Sequence, residues 1–301
     1  MKTFALNKNL KWLDFLNPSK KETDELKKIY DFHPLILEEL LRPSDRTKVE
    51  RYNGYLFIVY HLPIYDQAKR SSRRAEIDLL ATKSALITVH YEDLESIEQF
   101  ERYLASDISV RQYQSTAELI CRLLRMVNEF SQRELKHIEK KTNAVGEKLF
   151  KNQDRELFEE ISYIKRDILG FFIITAPQRH ILESLMQEGI NFWGEKFRPY
   201  FMNLLGDFSR VNYLLENLRV SIESYSQTVS QILEFKTSEV VRRFSVLAFL
   251  TFPLLIYFTM TLNLEIFKSF TAHPPYYWLS AGFVLILIIV LAFIFRKKGW
   301  L

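Results

Sequence analysis

The chain has 301 residues, with Lys+Arg 41 against Asp+Glu 37 and a net charge of +4 at pH 7. The charges are mixed along its length, so the basic stripe of a nucleic-acid binder is absent, and nucleic acid is excluded as the main partner. One cysteine, Cys121, excludes an internal disulfide and a cysteine-rich zinc site.

In chain order, MKTFALNKNLKW lacks the apolar core of a secretory signal, so the residues before Phe244 are expected in the cytosol. Ser19 with Glu22 three residues on reads as a capping box opening a helix. His33-Pro34 punctuates before a short helix over Leu35–Leu41. Asn53-Gly54 is a hairpin turn between Val49–Tyr52 and Tyr55–Leu62. Ile77–Ala81 and Ala85–His90 read as strands around Lys83-Ser84. These elements make an α+β cytosolic domain over 1–111. It shows no Gly-rich phosphate loop and no serine elbow. The histidines are scattered, and His90 reads as structural rather than as a ligand. Asp45, Arg46, Arg51 and Glu76 read as solvated surface charges.

Residues 112–190 turn helical. Leu119–Phe150 and Leu157–Met186 form an antiparallel pair, mostly solvated, and Pro177 kinks or ends the second helix. A stalk follows over 191–243. Phe201, Leu204, Phe208, Val211, Leu215, Leu218, Ile222, Tyr225, Val229 and Ile232 step by threes and fours, the spacing of a coiled-coil seam. Two uses are open to it: a packing face against the preceding helices, or a stalk that self-associates around an axis. With no proline between Pro199 and Pro253, the helix runs into the next apolar stretch, over roughly 80–90 Å at about 1.5 Å per residue.

No charged side chain occurs between Phe244 and Leu264, or between Pro274 and Phe295. Each run is long enough to cross about 30 Å of hydrocarbon. The reading is a first span at 244–264, an outer loop at 265–273, a second span at 274–295 and a basic tail at 296–301. The alternative is a buried helical hairpin in a soluble core. Arg242 and Arg243 before the first span, and Arg296, Lys297 and Lys298 after the second, put both termini on the cytoplasmic side of the cell membrane. Ser238, Val241, Ser245, Phe249 and Phe252 lie near one helical face and are candidates for a pore lining. The two phenylalanines would form apolar rings that gate by dewetting, or they pack against the second span.

Several stretches, in order and over nearly the whole chain, resemble the CorA-type divalent-cation transporter family. They are Arg51-Tyr52-Asn53-Gly54-Tyr55-Leu56-Phe57-Ile58-Val59, Glu76-Ile77-Asp78-Leu79-Leu80 with Leu86-Ile87-Thr88-Val89-His90, Ser238-Glu239-Val240-Val241-Arg242-Arg243 leading to Pro253-Leu254, and Phe295-Arg296-Lys297-Lys298-Gly299-Trp300-Leu301. The resemblance implies a funnel-shaped homopentamer with a pore lined by the first spans. It implies passage of hydrated divalent cations, Mg²⁺ first and Co²⁺, Ni²⁺ or Zn²⁺ as alternatives, with no covalent cofactor and no enzyme chemistry. The transported ion would double as a regulatory ligand, for which Asp207 is the nearest stalk acid.

The family's signature at the outer end of the first span is Gly-Met-Asn, often followed by an aromatic residue and Glu. Thr261-Leu262-Asn263-Leu264-Glu265 stands there in this chain. Asn263 and Glu265 are kept, and Asn263 is expected to meet the cation through its water shell. Thr261 is bulkier than Gly and β-branched, which changes the backbone available to the mouth. Ser238 and Leu255 replace an asparagine and a threonine usual in the pore. A non-conducting scaffold or sensor on the same frame is the competing expectation, and a soluble metal-dependent enzyme is a distant third.

Overall fold

The computed structural model describes residues 1–7, 9–106, 113–149, 155–263, 265 and 274–300, without the side chains of Ser106, Arg155, Leu262, Asn263, Pro274 and Tyr277. The chain forms two compact units, Met1–Ser226 and Gln227–Leu301.

The first unit is built on a six-stranded sheet. Its strands are β1 (Lys2–Asn7), β2 (Leu10–Leu16), β3 (Lys48–Tyr52), β4 (Tyr55–Asp66), β5 (Ser71–Thr82) and β6 (Ala85–His90), in the order β1-β2-β6-β5-β4-β3. All neighbours are antiparallel except β2 and β6, which pair in parallel from Lys11–Ala85 to Leu16–His90. Asn53-Gly54 makes the tight β3–β4 turn as expected, with Gly54 at φ 94°, a conformation glycine adopts without strain. The β1–β2 hairpin is absent from the sequence reading. β1 is an edge strand in which Leu6 is the one buried side chain, so it lacks the long apolar run that marked the central strands.

Helices cover both faces of the sheet, which explains why Tyr55–Leu62 is apolar almost without a break. Alternate residues point to opposite faces. Tyr55, Phe57, Val59, Leu80, Ile87 and Val89 face α1 (Lys20–Ile29) and α2 (Pro34–Glu39), meeting Leu26, Phe32, Ile36, Leu37 and Leu40. Leu56, Ile58, Tyr60, Ile77, Leu79 and Leu86 face the other layer. That layer comprises α3 (Glu95–Ser106), α4 (Thr116–Lys148), α5 (Arg155–Thr175), α6 (Gln178–Trp193) and the start of α7 (Arg198–Asn263). Each fully buried Leu, Ile or Phe contributes about 1.5–3 kcal/mol relative to exposure. The box opening α1 is complete: Ser19 Oγ accepts from Glu22 N, and Glu22 Oε2 accepts from Ser19 N at 2.9 Å.

Two expectations change. The helical pair is not mostly solvated: Leu119, Ile120, Leu123, Leu124 and Val127 of α4 are buried on the sheet, and only the later turns open to solvent. Pro177 does end a helix, but α6 starts directly after it, so the region expected as a pair holds α4, α5 and α6. The stalk seam from Phe201 to Ile222 is buried within this unit. Gly146 of α4 lies directly under the Tyr225 ring, where a Cβ would fall 2.7 Å from its hydroxyl. That stretch of seam therefore serves as an internal packing face. Apolar side chains free for another copy are on the opposite side of α7: Met202, Tyr213 and Val220 are exposed.

The second unit consists of the later part of α7 and α8 (Pro274–Lys297), two helices long and apolar enough to cross a membrane. Their apolar side chains are mostly open, with Trp278 72% and Leu279 74% exposed. A hairpin buried in a soluble core would hide them, so that alternative fails. Arg296 O accepts from Gly299 N and Phe295 O from Trp300 N, with Gly299 at φ 66°, closing the end of α8. Trp300 thereby stacks on Phe295 at 5.9 Å.

Candidate functional site

The candidate pathway is a face of α7 in the second unit. The face turned to α8 is marked by Val246 and Tyr257, both buried, with Tyr257 Oη 3.1 Å from Ser280 Oγ. Ser238, Val241, Ser245, Phe249 and Phe252 lie roughly a quarter turn away from it. Ser238 and Val241 are exposed, and Ser245 is half-buried with its hydroxyl donating to Val241 O at 2.9 Å.

The two phenylalanines are alike in exposure and differ in one contact. Phe249 is 60% exposed at the border of the face, its ring centroid 6.1 Å from Phe295 of α8. Phe252 is 62% exposed on the open side. Pro253 lies inside α7 and has no N–H to offer the Phe249 carbonyl. Thr251 Oγ1 donates to Leu247 O at 3.1 Å and Ala248 O at 3.2 Å, so its donor is spent on the helix.

At the outer end, Thr261 Oγ1 donates to Tyr257 O at 3.0 Å and Phe258 O at 3.1 Å. Its hydroxyl hydrogen is thus committed, and only oxygen lone pairs remain to meet a cation or its water. α7 continues to Asn263, and Glu265 is exposed. The side chains of Leu262 and Asn263, and the loop at 266–273 with Lys268 and His273, fall outside the described residues.

Asp207 belongs to the first unit. Its Oδ2 is 3.1 Å from Arg125 Nε, beside a cavity of about 260 Å³ lined also by Asn128, Glu129, Gln132, Asn203 and Arg210. Two arginines balance the two acids, so the pocket holds no excess negative charge for a cation. Among the described residues no group of three or more His, Cys, Asp or Glu side chains has the geometry to hold a metal ion.

His33 and His90 have structural roles, as was expected of His90. His33 caps α2 through Nδ1, which accepts from Leu35 N at 3.3 Å. His90 directs both ring nitrogens at acceptors: Nδ1 to Glu92 O at 2.7 Å and Nε2 to Asp14 Oδ2 at 3.2 Å. Burial alone would lower its pKa; the hydrogen bond and charge of Asp14, with the Glu92 carbonyl, outweigh this and raise it. Asp14 also accepts from Thr88 Oγ1, which in turn takes the Trp12 indole N–H at 3.1 Å. Glu76 is not a solvated charge. It is buried, and it accepts from Ser44 N and lies 3.0 Å from His61 Nε2. The sequence reading missed Asp14, Asp78 and Asp167 as buried acids; for the first two, the signal was an acid at a strand position flanked by apolar residues.

The profile of the family described as "CorA-like Mg2+ transporter protein" matches residues 7–297. The chain belongs to this family. Among its relatives, the "Cobalt/magnesium transport protein CorA" of Thermotoga maritima is 21% identical over 283 residues, 93% of this chain and 80% of that protein. The "Putative metal ion transporter YfjQ" of Bacillus subtilis is 21% identical, over 96% of this chain and 89% of its own. Among solved structures, "The complete structure of CorA magnesium transporter from Methanocaldococcus jannaschii" matches with a TM-score of 0.80 and 18% identity, covering 97% of this chain and 92% of that one. "Structure of the full-length CmaX protein" matches with a TM-score of 0.76 and 15% identity, covering 99% and 91%. At these identities the structural matches establish the fold: an α+β part, a long helix and a C-terminal apolar hairpin. CorA-like membership makes this chain a membrane transporter of divalent metal cations rather than an enzyme.

Proposed function

We propose that the protein is a homopentameric channel through which hydrated divalent cations, Mg²⁺ foremost, pass down their electrochemical gradient into the cytoplasm. The observation that carries this reading is the family match across 7–297, together with a helix that continues without a break from the first unit into an apolar span. The relatives named for cobalt and magnesium transport support the ion class. Exposed Ser238, Val241 and Phe252 line the pore in this reading, with half-buried Ser245 beside them. Phe249 supports the lining from the α8 side. Asn263 meets the ion's water shell at the outer mouth, where neutral oxygens suit a cation that dehydrates reluctantly. Basic residues at Arg242–Arg243 and Arg296–Lys298 favour termini on the cytoplasmic side. An inside-negative potential supplies about 4.6 kcal/mol per divalent ion at 100 mV, with no nucleotide needed. Cation sensing at Asp207 would require its pair with Arg125 to open first.

A second reading is favoured by Thr261-Leu262-Asn263: a CorA-like scaffold or sensor that does not conduct. Flux into proteoliposomes under an inside-negative potential separates the two, with Mg²⁺, Co²⁺, Ni²⁺ and Zn²⁺ tried one at a time. Flux of any of them, abolished by Asn263→Ala, supports the channel. No flux from a folded oligomer supports the scaffold, and unchanged flux in Asn263→Ala removes Asn263 from the filter.

A further inference from the structure

Strand β5 carries two acids on one face, Glu76 and Asp78, both sealed beneath the α1–α2 layer at 5% and 2% exposure. Their surroundings differ. Glu76 is provided for as an anion. Ser44 N donates to its Oε1 at 2.8 Å and Oε2 at 2.9 Å. His61 Nε2 lies 3.0 Å from Oε2 and 3.1 Å from Ser44 O. Both neighbours of that nitrogen are acceptors, so Nε2 carries a hydrogen and donates to Glu76.

Asp78 has no such provision. Its Oδ2 accepts from Tyr91 Oη at 2.7 Å, while its Oδ1 is closed off from solvent with no donor among the described residues. The charged groups around it are anions or cations already engaged. Glu76 stands beside it on β5, and Glu39 comes from α2. From β3, Lys48 is held by Glu39 at 2.8 Å and by Glu50 at 3.2 Å. From β4, His61 is held by Glu76. From α1 come only Thr23 and Leu26. A second anion here would face Glu76 across a dry interior with no cation of its own, a costly arrangement. Two acids that cannot both ionise share a proton.

We infer that Asp78 is a neutral carboxylic acid at neutral pH, that its O–H is donated from Oδ1 to the Glu76 carboxylate, and that this shared proton latches the α2–β3 connection onto the sheet. The unpartnered Oδ1 is then a donor, and the orphan is explained. Burial and the charge of Glu76 push the Asp78 carboxyl well above the usual carboxylate range. As pH rises, the acid releases its proton to solvent and leaves two carboxylates. Their repulsion acts on Glu76, whose other ties are Ser44 N and His61. Residues 40–47 are tied to β5 through Ser44 as well as through Asp45, which pairs with Arg74 at 2.9 Å, so losing the Ser44 tie loosens this segment first. The first unit therefore contains an alkaline-release latch within one protomer, apart from the ion pathway.

The test uses the full-length protein in detergent. Infrared spectra in D₂O at neutral pH should show the carbonyl band of a protonated carboxylic acid, lost in Asp78→Asn and lost from the wild type on alkaline titration. Hydrogen exchange of peptides within 34–48, corrected for the intrinsic pH dependence, should accelerate over the same pH range in the wild type but not in Asp78→Asn. The Asn amide N–H replaces the acid O–H, so that variant keeps the fold. Should it fail to fold, Glu76→Gln serves instead, because without a second carboxylate to repel, its exchange at 34–48 should not accelerate as pH rises. Absence of the band in the wild type, its survival in Asp78→Asn, exchange at 34–48 indifferent to pH in the wild type, or exchange still accelerated in the variant used would each overturn the latch.

Discussion

Adding one methyl group at Gly170 tests the seat of α5 on the sheet. Asp167, buried one turn earlier, accepts from both Ser72 N and Ser72 Oγ at 2.7 Å. Those bonds draw α5 onto β5 until a Cβ at Gly170 would lie 2.8 Å from the Ser72 carbonyl oxygen. Backbone cannot rotate aside as a side chain would, so in Gly170→Ala the helix must withdraw by roughly half an ångström and stretch the Asp167 bonds. Overpacking of this kind costs about 1–3 kcal/mol. Alanine returns up to about 1 kcal/mol of helix propensity. The net is a loss of about 0–2 kcal/mol, or up to about 8 °C in Tm for a unit of this size. Gly206 in α7 is the matched control, since a Cβ there meets nothing within 4 Å. Gly206→Ala should hold or gain up to about 1 kcal/mol. The assay is thermal unfolding of both variants in detergent beside the wild type. A Tm for Gly170→Ala equal to or above that of Gly206→Ala would show that α5 does not sit this close to β5, and the argument from Asp167 would fall with it.

Two further outcomes are expected. His90 has a raised pKa in the fold, so the stability it contributes is fully present below the unfolded value of about 6.5 and is lost as pH rises through the folded one. Tm measured from pH 5 upward should therefore fall less steeply in His90→Gln than in the wild type; parallel profiles would show that the His90 pKa is not raised in the fold. Cys121 is buried, and burial pushes its thiol up to about 12. A maleimide at neutral pH should leave it unlabelled in the native protein and label it fully in denaturant; rapid native labelling would mean that the α4 face packed on the sheet opens readily.

Local signals in the chain were reliable where the cause was local. Ser19 and Glu22 cap one another across a single turn, and Asn53-Gly54 turns within two residues. Pro177 stops a helix through its own ring and missing N–H. The two spans were legible because an uncharged run long enough for a bilayer has few other uses. Misreadings arose where the cause was distant. Glu76 looks like a surface acid until Ser44 and His61, from the loop before β3 and from β4, are brought to it. The seam on α7 has the same spacing whether it meets α4 or another copy of itself, and only burial in the first unit decides for Phe201–Ile222.

The sequence by itself determined the membrane hairpin, the long helix leading into it, the central strands and the family, because hydropathy, spacing and motif order are properties of the linear chain. The tertiary structure alone decided which charges are buried, which face of α7 is used up in packing, and that β2 returns to pair in parallel with β6 more than seventy residues later. The reason is that burial and pairing depend on what arrives from elsewhere in the chain. Asp14 and Asp78 carry no local mark that one will face a histidine and the other a second acid. That difference is what, in our inference, leaves Asp78 holding a proton.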